Sequence, residues 1–586
     1  MVARRWGPGV GGLVGAVVVA VAGGALLSLE PASSTAVTAP TPGGPRSAIV
    51  HADSVGAGQG WSRSLAATMP TDLAGVSAAS PCRPHDHAVG WLGREEAKPG
   101  DRSWRPERGP ANQSRIVGYL SQPSAVCGDS VSVHLSGSGQ VQVKLFRVGW
   151  YGGTEARLVW SSVPALAHER RQAGQSGPTR AIHEAWPADL SIPISPAFEP
   201  GLYLAQFVSL ADGSASLAPL TIRDPAGREP VLVQLSAATW AAYNSYGGAS
   251  LYRGFRFTGP GGATRGANDS HAYRSFEAAL DRPLTGGGLR ELLTRDVPLV
   301  HLVEQLGSDV AYTTDFDIDA SPGQLLRHAE LVVPGHSEYW SGRMLRGAMA
   351  ARNAGVNEAW LGANEAYWQI RVSRDALARP VGVVCYKSAA DPAAQFDPTL
   401  GTVKWVSNPG PGVDTGSLVG ERSVGRNFES GLRLTSAPSW FVAGTGLRAG
   451  ALLKDTVANE ADGVLTVRGL SPRLQVFAEG GYRSQSSGPV QAIDVTYYTA
   501  PSGAAVFSAG STDWLCEIER SCLDDHRITP ALAGTLRILT MNVLGALRDP
   551  AMGRRNPSVP TPPMTPGSIV DLLPPDQIGV AGTQVD

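Results

Sequence analysis

Three stretches of this chain concentrate the side chains that carry chemistry. His336-Ser337-Glu338-Tyr339-Trp340 puts an imidazole, a hydroxyl, a carboxylate and two aromatic rings in consecutive positions. Thr239 to Gly248 reads TWAAYNSYGG, and Tyr252 follows closely, so the segment is rich in phenols around a glycine pair that allows a sharp turn. Asn364-Glu365-Ala366-Tyr367-Trp368 is a second polar and aromatic cluster. A nucleophilic serine at Ser337 fits poorly, because Pro334-Gly335-His336-Ser337-Glu338-Tyr339 lacks the second glycine of a nucleophile elbow. Cys385 is no better as a nucleophile, since it sits inside the apolar run Val381-Gly382-Val383-Val384. The five cysteines show no CxxC pair and no Cys/His spacing for zinc.

Regular elements position these clusters. Leu331-Val332-Val333 is an apolar strand ending in Pro334-Gly335 and the His336 cluster. Met344, Leu345, Ala348 and Met349 recur at helical spacing, and Gly355 is a C-cap. A second short strand, Glu358 to Ala363, ends in the Asn364 cluster. Strand, helix, strand in this order is a βαβ unit and requires parallel pairing. Ligands bind beyond the carboxyl ends of such strands, where both clusters fall. Val231–Ala237 is another apolar strand, and it delivers the tyrosine-rich segment to the same edge.

At 586 residues the chain is too long for one core, and its net charge of −2 with no basic stripe argues against nucleic-acid binding. Arg4 and Arg5 precede an uncharged apolar and glycine-rich run from Gly9 to Leu29, the layout of an export signal or a retained membrane anchor. Small residues at Ala32 to Ala36 suit signal peptidase, and a secreted or cell-envelope location is expected. In that compartment Cys82 with Cys127 and Cys516 with Cys522 are expected to be bridged, with Cys385 reduced.

The expected domains follow from the changing rhythm. Residues 1–36 are the signal or anchor, and 37–105 a disordered or weakly ordered linker rich in Ala, Ser, Thr, Pro and Gly. Residues 106–226 carry short alternating strands, among them VSVHL, VQVKLFRV and GLYLAQFVSL, and read as an all-β immunoglobulin-like sandwich. Residues 227–550 form the α/β domain, closed by a helix from Pro530 to Arg548, and 551–586 a Pro-rich disordered tail. Trp150, Tyr151 and Trp186 are core and turn aromatics of the sandwich before they are carbohydrate-stacking ones.

Several motifs together resemble the C-terminal domain found in the large (beta) chain of N,N-dimethylformamidase and in its relatives. They are TWAAYNSYGGASLY, LVEQLGSDVAYTTDFDID followed by PGHSEYW, GANEAYWQIR, VVCYK, the Asp397-Pro398-Thr399-Leu400 region and DVTYYTAPSGAAVFSAGSTDW. RVGWYGG and EPGLYLAQF look like the sandwich that precedes the domain in many members. The resemblance runs over roughly 110 to 550. It implies an α/β parallel-sheet domain of the flavodoxin or class I glutamine amidotransferase type. It further implies a mononuclear Fe(III) held by two tyrosines and a glutamate, and hydrolysis of a small amide. By motif the glutamate falls on Glu338, with His336 as proton-handling residue. The first tyrosine falls on Tyr243, and the second on Tyr252 or Tyr246, because this segment is shorter than in the amidase.

Such a donor set makes chemical sense. Phenolate and carboxylate are hard oxygens that suit a highly charged ion. A free phenol titrates near ~10, so tyrosinate at neutral pH requires a metal beside it. Two plainer readings stand next to this one. In the first, the tyrosines pack a loop while Glu338 interacts with the next helix dipole. In the second, the chain is a non-catalytic secreted or envelope-associated binding protein on the same fold. The expected partner is a small-molecule substrate, with membrane attachment through the N-terminal segment and oligomer formation left open.

Overall fold

In the computed structural model, residues 82, 89–106, 114–254, 271–464, 474–483, 490–522 and 528–561 are described. The chain divides between Ser62 and Arg63, and every described residue belongs to the second unit. The signal or anchor over 1–36 lies outside the described residues.

Period-two alternation builds the first region. Val131, Val133 and Leu135 on the strand Ser130–Gly137 point one way and are fully buried, while Ser130, Ser132 and His134 are partly or fully exposed. This strand pairs with Ile116–Leu120 and Leu190–Pro193 in a three-stranded sheet. A six-stranded sheet is built around Gly139–Val148, Gly201–Ser209 and Ala215–Ile222. Val143, Leu145, Tyr203 and Phe207 from it share one apolar core with the first sheet. The neighbouring positions Phe146, Val148, Leu202 and Leu204 point to the opposite face and join the core of the region that follows. Over Phe146–Val148 and Leu202–Leu204 the larger sheet is therefore buried on both faces, while Gln142 and Lys144 keep the polar alternation nearer the other end of their strand.

That second interface carries a buried ion pair. Arg147 donates through Nη2 and Nη1 to the two oxygens of Glu304 at 2.6 and 2.9 Å, and also to the Pro200 carbonyl and the Tyr151 hydroxyl. Glu304 lies on the helix Val297–Gln305 and accepts from the Tyr312 hydroxyl at 2.6 Å. The segment before the sandwich seals the same junction. Trp91 and Leu92 on the helix Trp91–Glu96, with Trp104, are core residues, and Glu95 pairs with Arg157 at 2.8 Å. The linker expected over 37–105 therefore does not reach past residue 90. Tyr151 and Trp186 are buried, which accounts for them as core aromatics.

A nine-stranded sheet organises the rest. Val310–Thr314, Val231–Leu235, Glu330–Val333, Asn357–Trp360 and Ala505–Ser508 lie side by side in that order, all parallel. The sheet then continues through Val490–Thr499, Gln475–Arg483, Arg422–Leu434 and Leu452–Gly463, all antiparallel. A separate four-stranded sheet runs Glu277–Ala279, Pro380–Val384, Trp368–Arg374, Tyr339–Ser341. The expected α/β parallel-sheet domain of flavodoxin or class I glutamine amidotransferase type is thus overturned. The sheets are mixed and largely antiparallel, and the chain holds more strand than helix. The physical cause is the 422–499 stretch. It carries four long strands that pair antiparallel with one another and extend the sheet outward from Ala505–Ser508.

The helices fall close to their expected positions. Ser341 caps Gly342–Ala354 by accepting from the Met344 N–H, and Gly355 ends it at φ 106°. Pro530–Leu547 is apolar and long enough to cross a membrane by composition, but Leu536, Leu539, Val543 and Leu547 are buried in the core. Residues 551–561 of the expected disordered tail are packed on the sheet, where Ser558, Val559 and Thr561 hydrogen-bond to Thr499, Gln475 and Leu474, and the rest of that tail lies outside the described residues. Cys82–Cys127 and Cys516–Cys522 are bridged, and Cys385 is free and buried.

Arg147→Met should destabilise the protein by about 3–5 kcal/mol, because it strands the buried Glu304 charge. Urea unfolding measures this, and the double variant with Glu304→Gln should recover part of the loss.

Candidate metal centre

Tyr243 comes from the helix Ala237–Tyr243, which begins directly after the strand Val231–Leu235. Two buried aspartates accept its first N–H groups. Asp296 takes the Ser236 N–H at 2.9 Å and Asp315 the Ala238 N–H at 2.7 Å, both favourable at a positive helix end. Thr239 and Tyr243 are one turn apart and share a face, which looks at Glu338. The Glu338 N–H donates to Thr239 Oγ1 at 3.2 Å, and the Tyr243 hydroxyl to Glu338 Oε2 at 2.9 Å. Gly286-Gly287-Gly288 makes room for this helix end, since a Cβ on Gly288 would stand 2.3 Å from the Trp240 carbonyl.

Tyr252 returns to the same point. Its hydroxyl lies 2.6 and 2.7 Å from the two Glu338 oxygens and 3.0 Å from the Tyr243 hydroxyl. Tyr246 does not reach the site; its ring packs edge-on against Trp186 of the sandwich. Of the two candidates for the second tyrosine, the structure brings Tyr252 to Glu338.

Glu338 follows the strand Glu330–Val333 and is 2% exposed. Trp368 Nε1 donates to its Oε1 at 2.8 Å, and Asn364 Nδ2 lies 3.3 Å from the same oxygen. Asn364 reaches it from a loop in which both Asn364 and Ala366 have positive φ, the kind of backbone strain that functional sites retain. Ser337 is spent on structure, accepting from Gln234 Nε2 and Trp340 Nε1 at 2.8 and 2.9 Å. It meets no general base.

His336 is enclosed by carboxylates. Its Nδ1 stands 3.0 Å from Glu291, and its Nε2 stands 3.4 Å from Glu460 and 3.6 Å from Glu338. Burial pulls the imidazole down most, but Glu291 and Glu460 together outweigh it and hold its pKa well above the ordinary value. Nε2 is buried and aligned for a hydrogen bond with neither carboxylate. Burial pushes the Tyr243 and Tyr252 phenols well above their usual range, and the Glu338 charge pushes the same way. Lys387 completes the wall. Its ammonium sits 3.0 Å from the centroid of the Tyr252 ring and donates to the Tyr339 hydroxyl at 2.7 Å.

Sequence reading missed Glu291 and Glu460. Glu460 lies on the antiparallel strand Leu452–Gly463, far from the His336 strand in sheet order. It arrives because the strand end folds over the 510–512 turn, with the Thr512 N–H bonded to the Glu460 carbonyl at 3.1 Å. The acidic run Asn459-Glu460-Ala461-Asp462-Gly463 at a strand end was its one local signal.

Two phenols and a carboxylate converging on one point, beside a histidine, define a site of hard oxygen donors of the kind that suits a highly charged cation. The chain belongs to the N,N-dimethylformamidase beta subunit-like, C-terminal family, whose sequence profile matches residues 142–526. No curated protein matches it.

Trp368→Phe deletes one bond to a buried carboxylate and should cost about 1.5–3 kcal/mol in urea unfolding. A loss below that range would show that Asn364 and the phenols hold Glu338 without help.

Proposed function

We propose that this protein is a metal-dependent hydrolase of small amide C–N bonds, with Tyr243, Tyr252 and Glu338 holding a single ferric ion. One observation carries the reading. Three hard oxygen donors, two phenols and a carboxylate, meet with O···O separations of 2.6–3.0 Å. Adjacent oxygens around an octahedral ion at 2.0–2.1 Å stand about 2.9 Å apart, so the donor set fits such an ion with little adjustment. Family membership supports the same reading.

When bound, the ion would supply Lewis acidity toward an amide carbonyl and toward water. The residues do the rest. Trp368 and Asn364 orient Glu338 so that its oxygens face the phenols. Glu291 fixes the imidazole through Nδ1, which leaves His336 Nε2 facing the space between Glu338 and Glu460. An N–H held there, with carboxylates on either side, can exchange protons between a nucleophilic water and a departing amine. Lys387 over the Tyr252 ring face favours negative charge on that phenol.

The same reading places the protein outside the cytoplasm. The signal-like N-terminal segment and the two bridges, Cys82–Cys127 and Cys516–Cys522, support this.

The purified protein should be coloured by a tyrosinate-to-iron band. Iron uptake by the metal-free protein should release phenol protons, because both phenols are neutral beforehand. Glu338→Gln should lose the metal and Tyr243→Phe should shift the band. His336→Ala should keep the band and slow amide hydrolysis by roughly 10²–10⁴-fold. A folded protein that stays colourless and metal-free after incubation with iron would favour a non-catalytic binding protein.

A further inference from the structure

The loop from Asn244 to Leu251 connects the two tyrosines, and its path decides where Tyr252 returns. Gly247 and Gly248 both have positive φ, at 80° and 88°, so the loop turns through residues with little intrinsic preference for one path. Backbone contacts hold parts of it: the Gly248 N–H bonds to the Ser245 carbonyl at 3.0 Å, the Ser250 N–H to the Arg253 carbonyl at 2.8 Å, and Asn244 Nδ2 donates to the Pro283 carbonyl at 2.9 Å. The Leu251 N–H bonds back to the Ala242 carbonyl at 3.0 Å, and Asn244 Oδ1 accepts from Tyr246 and Thr285 N–H at 3.1 Å each.

A further restraint reaches three of its carbonyls from one side chain outside the loop. Arg282 is 3% exposed and lies just beyond the strand Glu277–Ala279. Its Nη1 donates to the carbonyls of Tyr246 and Ala249 at 2.9 Å each, and its Nη2 to the carbonyl of Asn244 at 3.2 Å. Its Nε donates to the Ala279 carbonyl at 3.2 Å, which ties the fork to its own segment. A planar guanidinium is the side chain that reaches several acceptors in fixed directions, whereas an ammonium is a point charge on a flexible stem. Burial pulls the Arg282 pKa down to about 10 even with the Asp281 and Glu184 carboxylates near enough to act on it, so the charge is held there at a cost.

We propose that Arg282 is a positioning residue for the Tyr243–Tyr252 pair. By gathering three carbonyls of the intervening loop, it fixes the return of the Tyr252 hydroxyl to 3.0 Å from that of Tyr243. This rests on the proposed metal site for its spectroscopic consequence, and on geometry alone for its effect on the loop. It also explains how a short connection still delivers both tyrosines.

The surroundings offer a direct test. A cavity of about 70 Å3 lies against Arg282, lined by Tyr119 and Pro219 of the sandwich, Trp240 of the tyrosine helix and Asn244 just after it. Removing the Arg282 side chain opens into this cavity, so a small guanidinium can take its place. Arg282→Ala should lose amide hydrogen-exchange protection over 244–251 in the metal-free protein while the global unfolding transition persists. Its iron affinity should drop roughly 10–100-fold, with a shifted visible band. Methylguanidinium should restore loop protection, affinity and band, and ethylammonium should not.

If Arg282→Ala fails to fold, Arg282→Lys serves instead, and it should fold with a loosened loop and weakened iron binding. Unchanged loop protection and affinity in either variant would overturn the proposal. Equal rescue by ethylammonium would also overturn it, since charge alone would then suffice. A wild-type protein without an iron band would defeat the metal reading, and the hydrogen-exchange and rescue results would still decide the role of Arg282.

Discussion

Glu338 is a carboxylate buried at the carboxyl end of a central strand, and a buried carboxylate must be surrounded by donors or a cation. Tyr243, Tyr252, Trp368 and Asn364 provide the donors. Two come from the segment after Val231–Leu235 and two from the segment after Asn357–Trp360, so one charge ties both to its own loop after Glu330–Val333. These strands are parallel neighbours, which is why their carboxyl ends open on one edge and side chains far apart in sequence meet there. Had one strand run the other way, its loop would have left at the opposite edge.

The remainder of the molecule holds that edge still. The six-stranded sheet of the sandwich is buried on both faces, and the Arg147–Glu304 pair crosses its junction with the helix Val297–Gln305. The helix Gly286–Glu291 and the five residues that follow it lead directly into Val297–Gln305. This run carries Glu291, which fixes His336, and Asp296, which receives the Ser236 N–H before the tyrosine helix. The sandwich is thus connected to the imidazole through a continuous run of packed backbone. The antiparallel half of the nine-stranded sheet contributes Glu460 from its far strand, so it too is part of the site rather than an appendage.

Much of this was legible in the residues because it is local. Apolar runs ending in Pro-Gly or in polar clusters marked the strands that carry Tyr243 and Glu338, and parallel pairing followed from the intervening helix. The cysteine pairs were legible from context. Pairing direction across 422–499 was not, because alternation announces a strand without naming its neighbour. The short strands that stretch shows in sequence give no sign of the mixed sheet they build or of where Glu460 arrives. The choice between Tyr246 and Tyr252 depended on a loop path set by Arg282, thirty or more positions further along the chain, and no periodicity encodes such a contact. Trp91 and Leu92 were lost for a related reason: a six-residue helix has too few turns to show a pattern.

The central claim concerns where a cation sits, so the most direct measurement is anomalous scattering at the iron edge from crystals of the iron-loaded protein. A single peak within bonding distance of the Tyr243 and Tyr252 hydroxyl oxygens and of Glu338, with His336 Nε2 facing it, is the expected result. A peak elsewhere, or no peak while Tyr243 and Tyr252 remain hydrogen-bonded to Glu338, would contradict the account.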